Sequence, residues 1–212
     1  MDKKYSTLVV QRVSCQDIRF PTAKSGMGSD AVHKDPNYSS AYVTISIVDT
    51  TNPGRCAELP LGRATIFTIG RGNELCQSCV YLMAHMVEGM CVGEIFNNFR
   101  GVWRKITNHH QLRWVGPEKG VSHIAVAGII NALWDLWGKL EKKPVWRLLC
   151  DLTPEQLVRC CDFRYVTDFL TEKEAIKILK DKWSTRKARI KSIEKKGFPG
   201  YTTGCSWSGY SD

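Results

Sequence analysis

Three runs of alternating apolar and polar residues open this chain, and apolar residues at helical spacing follow from residue 73 onward. The second run, residues 41–49, places Val43, Ile45 and Ile47 on one face and Thr44 and Ser46 on the other. Successive strands joined by loops favour antiparallel pairing. The order of the patterns therefore predicts an α+β fold, in which a three-stranded antiparallel sheet is followed by helices.

The connection between the first two runs is unusually long. Residues 20–43 read FPTAKSGMGSDAVHKDPNYSSAYV and carry two Gly, two Asp and a His. A simple hairpin needs only about two to five connecting residues. A loop of this length is either disordered or functional, and we treat it as a candidate binding loop.

Several helices are predicted after the sheet. Asn73 is expected to cap the first, which ends near Gly89, and Pro117 and Glu118 to open a buried helix that runs to Leu140. Start signals for two further helices stand at Thr153 and Thr171. Residues 157–166 and 201–207 are predicted to be strands.

Composition limits the class of protein. The chain has 212 residues, 43% of them hydrophobic, which allows a sizeable buried core and a soluble globular protein. Its most apolar segment falls short of the ~20 residues that cross a bilayer, and the first residues lack a secretory pattern. We therefore expect an intracellular protein that meets no membrane and whose nine Cys are mostly reduced.

Positive charge is concentrated in one segment. The formal charge is +9, and residues 173–196 contain ten Lys and Arg against three acidic residues, a net +7. Lys and Arg in such a segment can bind the phosphates of a nucleic acid by neutralising their charge. It lacks interleaved aromatics, so a solvated amphipathic helix is the favoured interpretation and no nucleic acid is expected as a partner.

Two motifs suggest other chemistry. Cys76 and Cys79 have the CxxC spacing of redox and zinc sites, but both fall on the apolar face of the first helix. His109 and His110 have no carboxylate or Cys cluster beside them, and His123 is expected to be a core residue. Taken alone, the residues give no complete catalytic constellation.

Long strings of the sequence resemble a known family. They include GSDAVHKDPNYSSAYV, TIFTIGRGNE, QLRWVGPEKGVSHIA and YTTGCSWSGYSD. These strings are similar to the N-terminal half of the L-fuconate dehydratase family, acid-sugar dehydratases of the enolase superfamily and of its mandelate racemase and muconate lactonizing type. The resemblance implies a capping domain in residues 1–150. Residues 151–212 would be linker helices and the start of a truncated (β/α) barrel.

The resemblance also implies a function, that of a Mg²⁺-dependent hydro-lyase that removes water from a small sugar acid. The long loop would close over the substrate, with Gly28, Ser29 and Asp30 approaching it and Tyr38 donating a hydrogen bond to it. No catalytic residue and no metal ligand is expected within this chain, because the family's acid/base and Mg²⁺ residues would lie beyond residue 212. The chain alone is therefore expected to be inactive.

Further expectations follow from the same resemblance. The alternative function is that of a catalytically inactive short form that acts as a binding or regulatory module. Complete members are expected to form homo-oligomers, in the mitochondrion or the cytoplasm. Residues 55–65 form a longer segment than the family pattern suggests, near a loop expected to shape the substrate pocket, which leaves the preferred sugar acid open.

Overall fold

A three-stranded antiparallel sheet forms the first part of the fold. The structure, a computed structural model, describes residues 4–26, 29, 32–34, 37–116, 120–198 and 200. Its strands are β1 (Leu8–Phe20), β2 (Tyr38–Asp49) and β3 (Gly62–Thr68), in the spatial order β1-β2-β3. This arrangement confirms the α+β fold that the alternating runs predict.

The register of the sheet brings two connections together. Phe20 lies opposite Tyr38 across β1 and β2, and Ser39 lies opposite Thr68 across β2 and β3. The long β1–β2 connection and the end of β3 are therefore at the same end of the sheet. A short 3-10 turn, Thr22–Ser25, begins that connection.

One face of the sheet carries the core. Val43, Ile45 and Ile47 are almost completely buried, as their alternation in β2 predicts. Two helices cover this face, namely α1 (Asn73–Ala84) and α4 (Val121–Leu140). Both are longer than their neighbours and present several apolar residues to the strands, which stabilises the layer of helix on sheet.

Six shorter helices complete the described part of the chain. They are α2 (Val92–Asn97), α3 (Phe99–Thr107), α5 (Val145–Asp151), α6 (Pro154–Cys160), α7 (Glu172–Asp181) and α8 (Arg186–Lys196). Stacked aromatic rings join α2 and α3 to α4, with the centroids of Phe99 and Trp134 4.2 Å apart and those of Phe96 and Trp137 4.6 Å apart.

The predicted starts of α6 and α7 are confirmed by complete capping boxes. Thr153 and Gln156 exchange hydrogen bonds at the start of α6, and Thr171 and Glu174 do so at the start of α7. A small second apolar cluster of Val158, Phe163 and Ala175 packs these two helices together.

The predicted strand at residues 157–166 is wrong. Its first residues belong to α6, because the capping box at Thr153 starts a helix that buries Pro154 and Val158 four residues apart. Cys160 and Cys161 consequently lie at the end of a helix and not on opposite faces of a strand. The second predicted strand, residues 201–207, lies outside the described residues.

Two helix starts also differ from expectation. The N-cap of α1 is Gly72, and the Asn73 side chain is fully buried in other hydrogen bonds, so Asn73 does not cap the helix. The helix α4 begins at Val121, whereas Pro117 and Glu118 lie outside the described residues. His123 is half-buried beside the ring edge of Trp103, 5.9 Å between centroids, and is not a core residue.

Candidate functional site

An open cleft of about 600 Å³ lies at the end of the sheet where the two connections meet. The end of β1 contributes Arg19 and Phe20, and the turn between β3 and α1 contributes Ile69, Gly70 and Arg71. The remaining lining residues, Pro21, Val32, His33 and Asn37, come from the β1–β2 connection. The long loop therefore forms one wall of the cleft, and the β3–α1 turn forms another.

A relay of hydrogen bonds lies beneath the cleft. The Gly70 N–H donates to Ser39 Oγ at 2.8 Å, and Ser39 Oγ lies 2.6 Å from Thr68 Oγ1. Thr68 Oγ1 donates to Asn73 Oδ1 at 2.7 Å, and Asn73 Nδ2 donates to Asp17. Because Thr68 donates to Asn73, Ser39 must be the donor to Thr68, so every donor in the relay points towards the Asp17 carboxylate.

Charge at the end of the relay is balanced. Arg19 donates to Asp17 at 2.7 Å and to Glu74 at 2.6 Å. Hydrogen bonds from Arg19 and then from Asn73 hold the pKa of the Asp17 carboxyl below its usual value. The same carboxylates raise the pKa of Arg19. Arg19 is thus a structural cation that joins β1 to the start of α1.

Only part of the loop expected to bind substrate can be located. Gly28 and Asp30 lie outside the described residues. Ser29 donates its hydroxyl hydrogen bond to the carbonyl of Gly26, within the loop itself. The Tyr38 ring packs on Phe67 with 5.5 Å between centroids. Neither Ser29 nor Tyr38 lines the cleft, and the assignment of all four residues to substrate binding stays a prediction.

The sequence interpretation missed Arg71 and Asn37 as lining residues. Asn37 accepts a hydrogen bond from the backbone N–H of Ala23 at 3.1 Å and so ties the two ends of the loop together. The signal for Arg71 was present in the string GRG, since Gly70 and Gly72 have φ of 67° and 87° and turn the chain sharply around it.

The unusual segment at residues 55–65 lies away from this cleft. It includes most of a 3-10 turn, Pro53–Glu58, and the start of β3, where Gly62 pairs with Ile45 near the far end of β2. The segment is held there because Arg63 N–H donates to Asp135 of α4 at 2.8 Å. The expectation that it lies near a loop shaping the substrate pocket stays a prediction.

The arrangement of the thiols supports neither a redox site nor a zinc site at the CxxC pair. Cys76 and Cys79 are buried on α1, and burial raises the pKa of Cys79 to about 11. The eight described Cys are free, and the residues that the structure describes contain no group of three His, Cys, Asp or Glu that could hold a metal ion. Among those residues, too, no helix is long and apolar enough to cross a membrane.

A smaller cleft of about 230 Å³ lies between the N-terminal residues and α4, α5 and α6. Its charged groups already pair with one another, as Lys4 Nζ and Tyr5 Oη both contact Glu141 Oε1 at 2.7 Å. Asp151 in the same cleft accepts a hydrogen bond from Lys143 at 2.9 Å. This pairing engages Lys4, Glu141, Lys143 and Asp151 in ion pairs within the smaller cleft.

No protein-family model matches the chain, but similar proteins and structures are found. The chain is 46% identical to human mitochondrial enolase superfamily member 1 over 203 residues, covering 96% of this chain and 44% of that protein. The crystal structure of the human protein superposes with a TM-score of 0.86 over the same shares of the two chains. The chain is also 38% identical to L-galactonate dehydratase of Hypocrea jecorina, over 98% of this chain and 44% of that one.

More distant structures share the fold. A racemase from Streptomyces coelicolor, crystallised with bound magnesium, superposes with a TM-score of 0.51 at 21% identity, over 69% of this chain and 36% of that one. At this identity the likeness concerns the fold alone. The chain spans less than half the length of the curated relatives it matches. It belongs to the enolase superfamily and corresponds to the N-terminal part of these relatives, with their capping sheet and helices.

Proposed function

We propose that this chain is the capping part of an acid-sugar dehydratase, a hydro-lyase that removes water from a small sugar acid such as L-fuconate or L-galactonate. The observation that supports the proposal most directly is the 38% identity to L-galactonate dehydratase over almost the whole chain. The cleft at the end of the sheet supplies a surface for such a substrate. Its polar groups are donors and acceptors suited to hydroxyls and carboxylates.

This chain would contribute to the reaction by positioning the sugar acid and by excluding water from the cleft. The β1–β2 loop forms one wall of the cleft and would close over the bound acid, with Gly28, Ser29, Asp30 and Tyr38 as the proposed contacts. The β3–α1 turn forms the opposite wall and is anchored by Ser39. Water excluded by the loop cannot compete for the polar groups that orient the substrate.

Mg²⁺ is the proposed cofactor of the complete enzyme, in keeping with the magnesium-bound racemase of the same fold. The described residues do not fit the ion, because they offer no cluster of three potential ligands. We therefore propose that its ligands and the acid/base residues lie outside this chain, in a barrel beyond residue 212.

The proposed layout is a capping domain in residues 1–150, followed by linker helices and the start of a barrel in residues 151–212. The small apolar cluster around Val158 and Phe163 is separate from the main core, which supports a domain boundary after α5. We further propose homo-oligomers for the complete protein. The location is proposed to be mitochondrial or cytoplasmic, since several relatives are named as mitochondrial proteins.

The test joins this chain to the part of the human relative that the chain does not cover, and measures formation of the keto acid from L-fuconate and L-galactonate. We expect Mg²⁺-dependent turnover by the joined protein and none by the 212-residue chain alone. A folded joined protein that dehydrates neither acid, or turnover by the chain alone, would contradict the proposal. L-galactonate dehydratase of Hypocrea jecorina, assayed in parallel with L-galactonate, is the positive control.

A second candidate is a short form without catalytic activity that serves as a binding or regulatory module. It is compatible with the lack of a metal-ligand cluster among the described residues, an observation that it shares with the first candidate. The intact mass of the endogenous protein separates the two. A species near 24.0 kDa supports the binding module, and a species large enough to contain a barrel of about 200 residues or more supports the dehydratase.

A further inference from the structure

Three lysines of the helix α8, Lys187, Lys191 and Lys195, form a stripe along it. They recur every four residues, so helical geometry places them on successive turns, about 6 Å apart along the axis. All three are exposed, and none forms a hydrogen bond or an ion pair with any residue that the structure describes. The N–H donors of this lysine stripe are therefore left to solvent or to a partner.

The charges of the lysine stripe work against the helix that carries them. Like charges four residues apart destabilise a helix, and the stripe contains two such pairs. The first turn adds Arg186 and Arg189 and holds no acidic residue, so positive charge meets the positive end of the helix dipole. A solvated helix face typically alternates the sign of its charges and is stabilised by their pairing. The lysine stripe departs from that pattern, so an anionic partner would stabilise α8.

The fold holds α8 in place through groups outside the lysine stripe. Glu194, the one acidic residue of α8, pairs with Arg147 of α5 at 2.7 Å. Arg186 donates to the carbonyl oxygen of Cys150 at 2.6 Å, and Ile190 is buried. None of these contacts uses a lysine of the stripe, so the helix is docked while the stripe stays exposed. A docked helix needs to gain little backbone order when a partner arrives.

We propose that the lysine stripe is a docking surface for an acidic helical segment of a partner protein, with Glu or Asp at every fourth position. Carboxylates with this spacing are also about 6 Å apart along their helix, so each can face one ammonium group of the stripe. Such complementarity steers the encounter and fixes the orientation of the partner. The stripe does not line the cleft at the end of the sheet, and the inference does not depend on the proposed dehydratase function.

Two other anionic partners fit the lysine stripe less well. Single-stranded nucleic acids are bound by positive charge together with aromatic rings on which the bases stack. The ring of Trp183, just before α8, already has the guanidinium of Arg186 over it, 4.0 Å from the ring centroid. A lipid surface requires an exposed apolar stripe, but Ile190 is buried and Ile193 is half-buried. An acidic polypeptide needs neither feature.

The test titrates the 212-residue chain with a synthetic helical peptide of about 20 residues that carries Glu at every fourth position. Backbone amide signals in two-dimensional NMR report where the peptide binds. We expect saturating shifts along α8 and a dissociation constant on the order of millimolar at low salt, because exposed ion pairs are weak. A peptide with Gln in place of every Glu should cause no shifts, and added salt should weaken binding of the Glu peptide.

A triple variant removes the lysine stripe while keeping side chains of similar length. Lys187→Gln, Lys191→Gln and Lys195→Gln together should weaken binding of the Glu peptide at least about tenfold, since three ion pairs are lost. The same variant should slow hydrogen exchange of the α8 amides, because the repulsion between the lysines is gone. Unchanged exchange in this variant would overturn the argument that the stripe destabilises its helix.

The matched control removes the same amount of charge from exposed lysines elsewhere in the chain. It combines Lys24→Gln, Lys34→Gln and Lys142→Gln, all three at exposed positions outside α8. We expect this variant to bind the Glu peptide like the unaltered chain. Equal weakening in the control and in the stripe variant would show that net charge alone attracts the peptide, and would overturn the inference.

A charge exchange tests the pairing directly. Lys191→Glu places a carboxylate at the centre of the stripe and should weaken binding of the Glu peptide. A second peptide, with Lys in place of its central Glu, should bind the variant more tightly than it binds the unaltered chain. The inference fails if this second peptide shows no preference for the variant.

Two further results would overturn the inference. One is the absence of shifts along α8 with the Glu peptide at low salt, where electrostatic contacts are strongest. The other is tighter binding of α8 to a DNA duplex or to phosphatidylserine vesicles than to the Glu peptide, compared at about 0.15 M salt. That result would assign the lysine stripe to phosphate groups and not to an acidic polypeptide.

Discussion

The backbone N–H of Gly70 donates a hydrogen bond to the hydroxyl of Ser39 at 2.8 Å, which joins the β3–α1 turn to the start of β2. The same hydroxyl lies 2.6 Å from that of Thr68, and the relay continues to Asp17 on β1. All three strands and the first helix therefore share one network at the end of the sheet that carries the cleft. The strand ends and the turn that border the cleft are therefore tied to one another by hydrogen bonds.

Loss of the Asn73 side chain should break this network. In Asn73→Ala, the Thr68 hydroxyl loses its acceptor and Asp17 loses a donor inside the fold. Leaving buried polar groups unsatisfied costs about 1–3 kcal/mol, so we expect the free energy of unfolding to fall by that amount in urea denaturation. Asn52→Ala, on an exposed turn, should change it by less than about 0.5 kcal/mol. Equal stability of the two variants would contradict the importance of the relay.

The pH dependence of stability should report on Asp17. The folded-state pKa of its carboxyl is lowered, chiefly by Arg19, from an ordinary value of 3.8. The unfolded chain therefore binds a proton more readily than the folded one, and the stabilisation is present above that value and lost as pH falls through the folded pKa.

The lowered pKa of Asp17 can be tested by comparing the unaltered chain with the variant Asp17→Asn. The difference in unfolding free energy between the two proteins should be largest near neutral pH and should shrink as pH falls below 3.8. Melting curves across that range measure it. A difference that stays constant at every pH would show that Asp17 acts through shape and not through its charge.

Much of the fold could be predicted from local patterns, for a physical reason. The alternation in β2 separates Val43 and Ile45 from Thr44, and burial follows that alternation. The capping boxes at Thr153 and Thr171 are also local, since four consecutive residues contain the whole signal. The strand prediction for residues 157–166 failed because their apolar and β-branched content suits a strand. The capping box just before them starts a helix instead.

The cleft could not be predicted in the same way. Asn73 and Asp17 are 56 positions apart, and Gly70 and Ser39 are 31 apart, so no short window contains either contact. Asn73 has the residue type and position of a helix cap, and only the packed structure shows its side chain turned to the sheet. The resemblance drew attention to the β1–β2 loop, part of which lines the cleft, but did not reach Arg71 in the β3–α1 turn.

A glycine on β3 should be intolerant of any side chain. A Cβ added at Gly62 would lie 2.3 Å from the Ala132 carbonyl oxygen and 2.9 Å from Leu136 Cβ, both on α4. Since the close atom is backbone, the helix itself would have to move. We expect Gly62→Ala to lower the free energy of unfolding by about 1–3 kcal/mol.

The control for this substitution is Gly54→Ala. A Cβ at Gly54 meets no atom closer than the Asn52 side chain at 3.7 Å, an ordinary contact. Thermal unfolding should show a clear drop in Tm for Gly62→Ala and little change for Gly54→Ala. Similar melting temperatures for the two would mean that β3 and α4 pack less closely than the structure indicates.

The CxxC pair should be inert in the native protein. Burial raises the pKa of Cys79 to about 11, with a smaller contribution from Cys76, whose own pKa is also raised by burial. At pH 8 only about one Cys79 side chain in a thousand would be thiolate, the form that reacts with alkylating agents. We therefore expect both thiols to remain unmodified in native protein while denatured protein is alkylated fully.

Peptide mapping by mass spectrometry after timed alkylation measures this directly, and Cys161 provides an internal comparison because it is exposed. Cys161 should be modified before Cys76 and Cys79, and added chelator should leave the order and the melting temperature unchanged. If Cys79 instead reacts as fast as Cys161 in the folded protein, its thiolate is stabilised by something other than the packing around α1. A redox or zinc role for the CxxC pair would then have to be considered again.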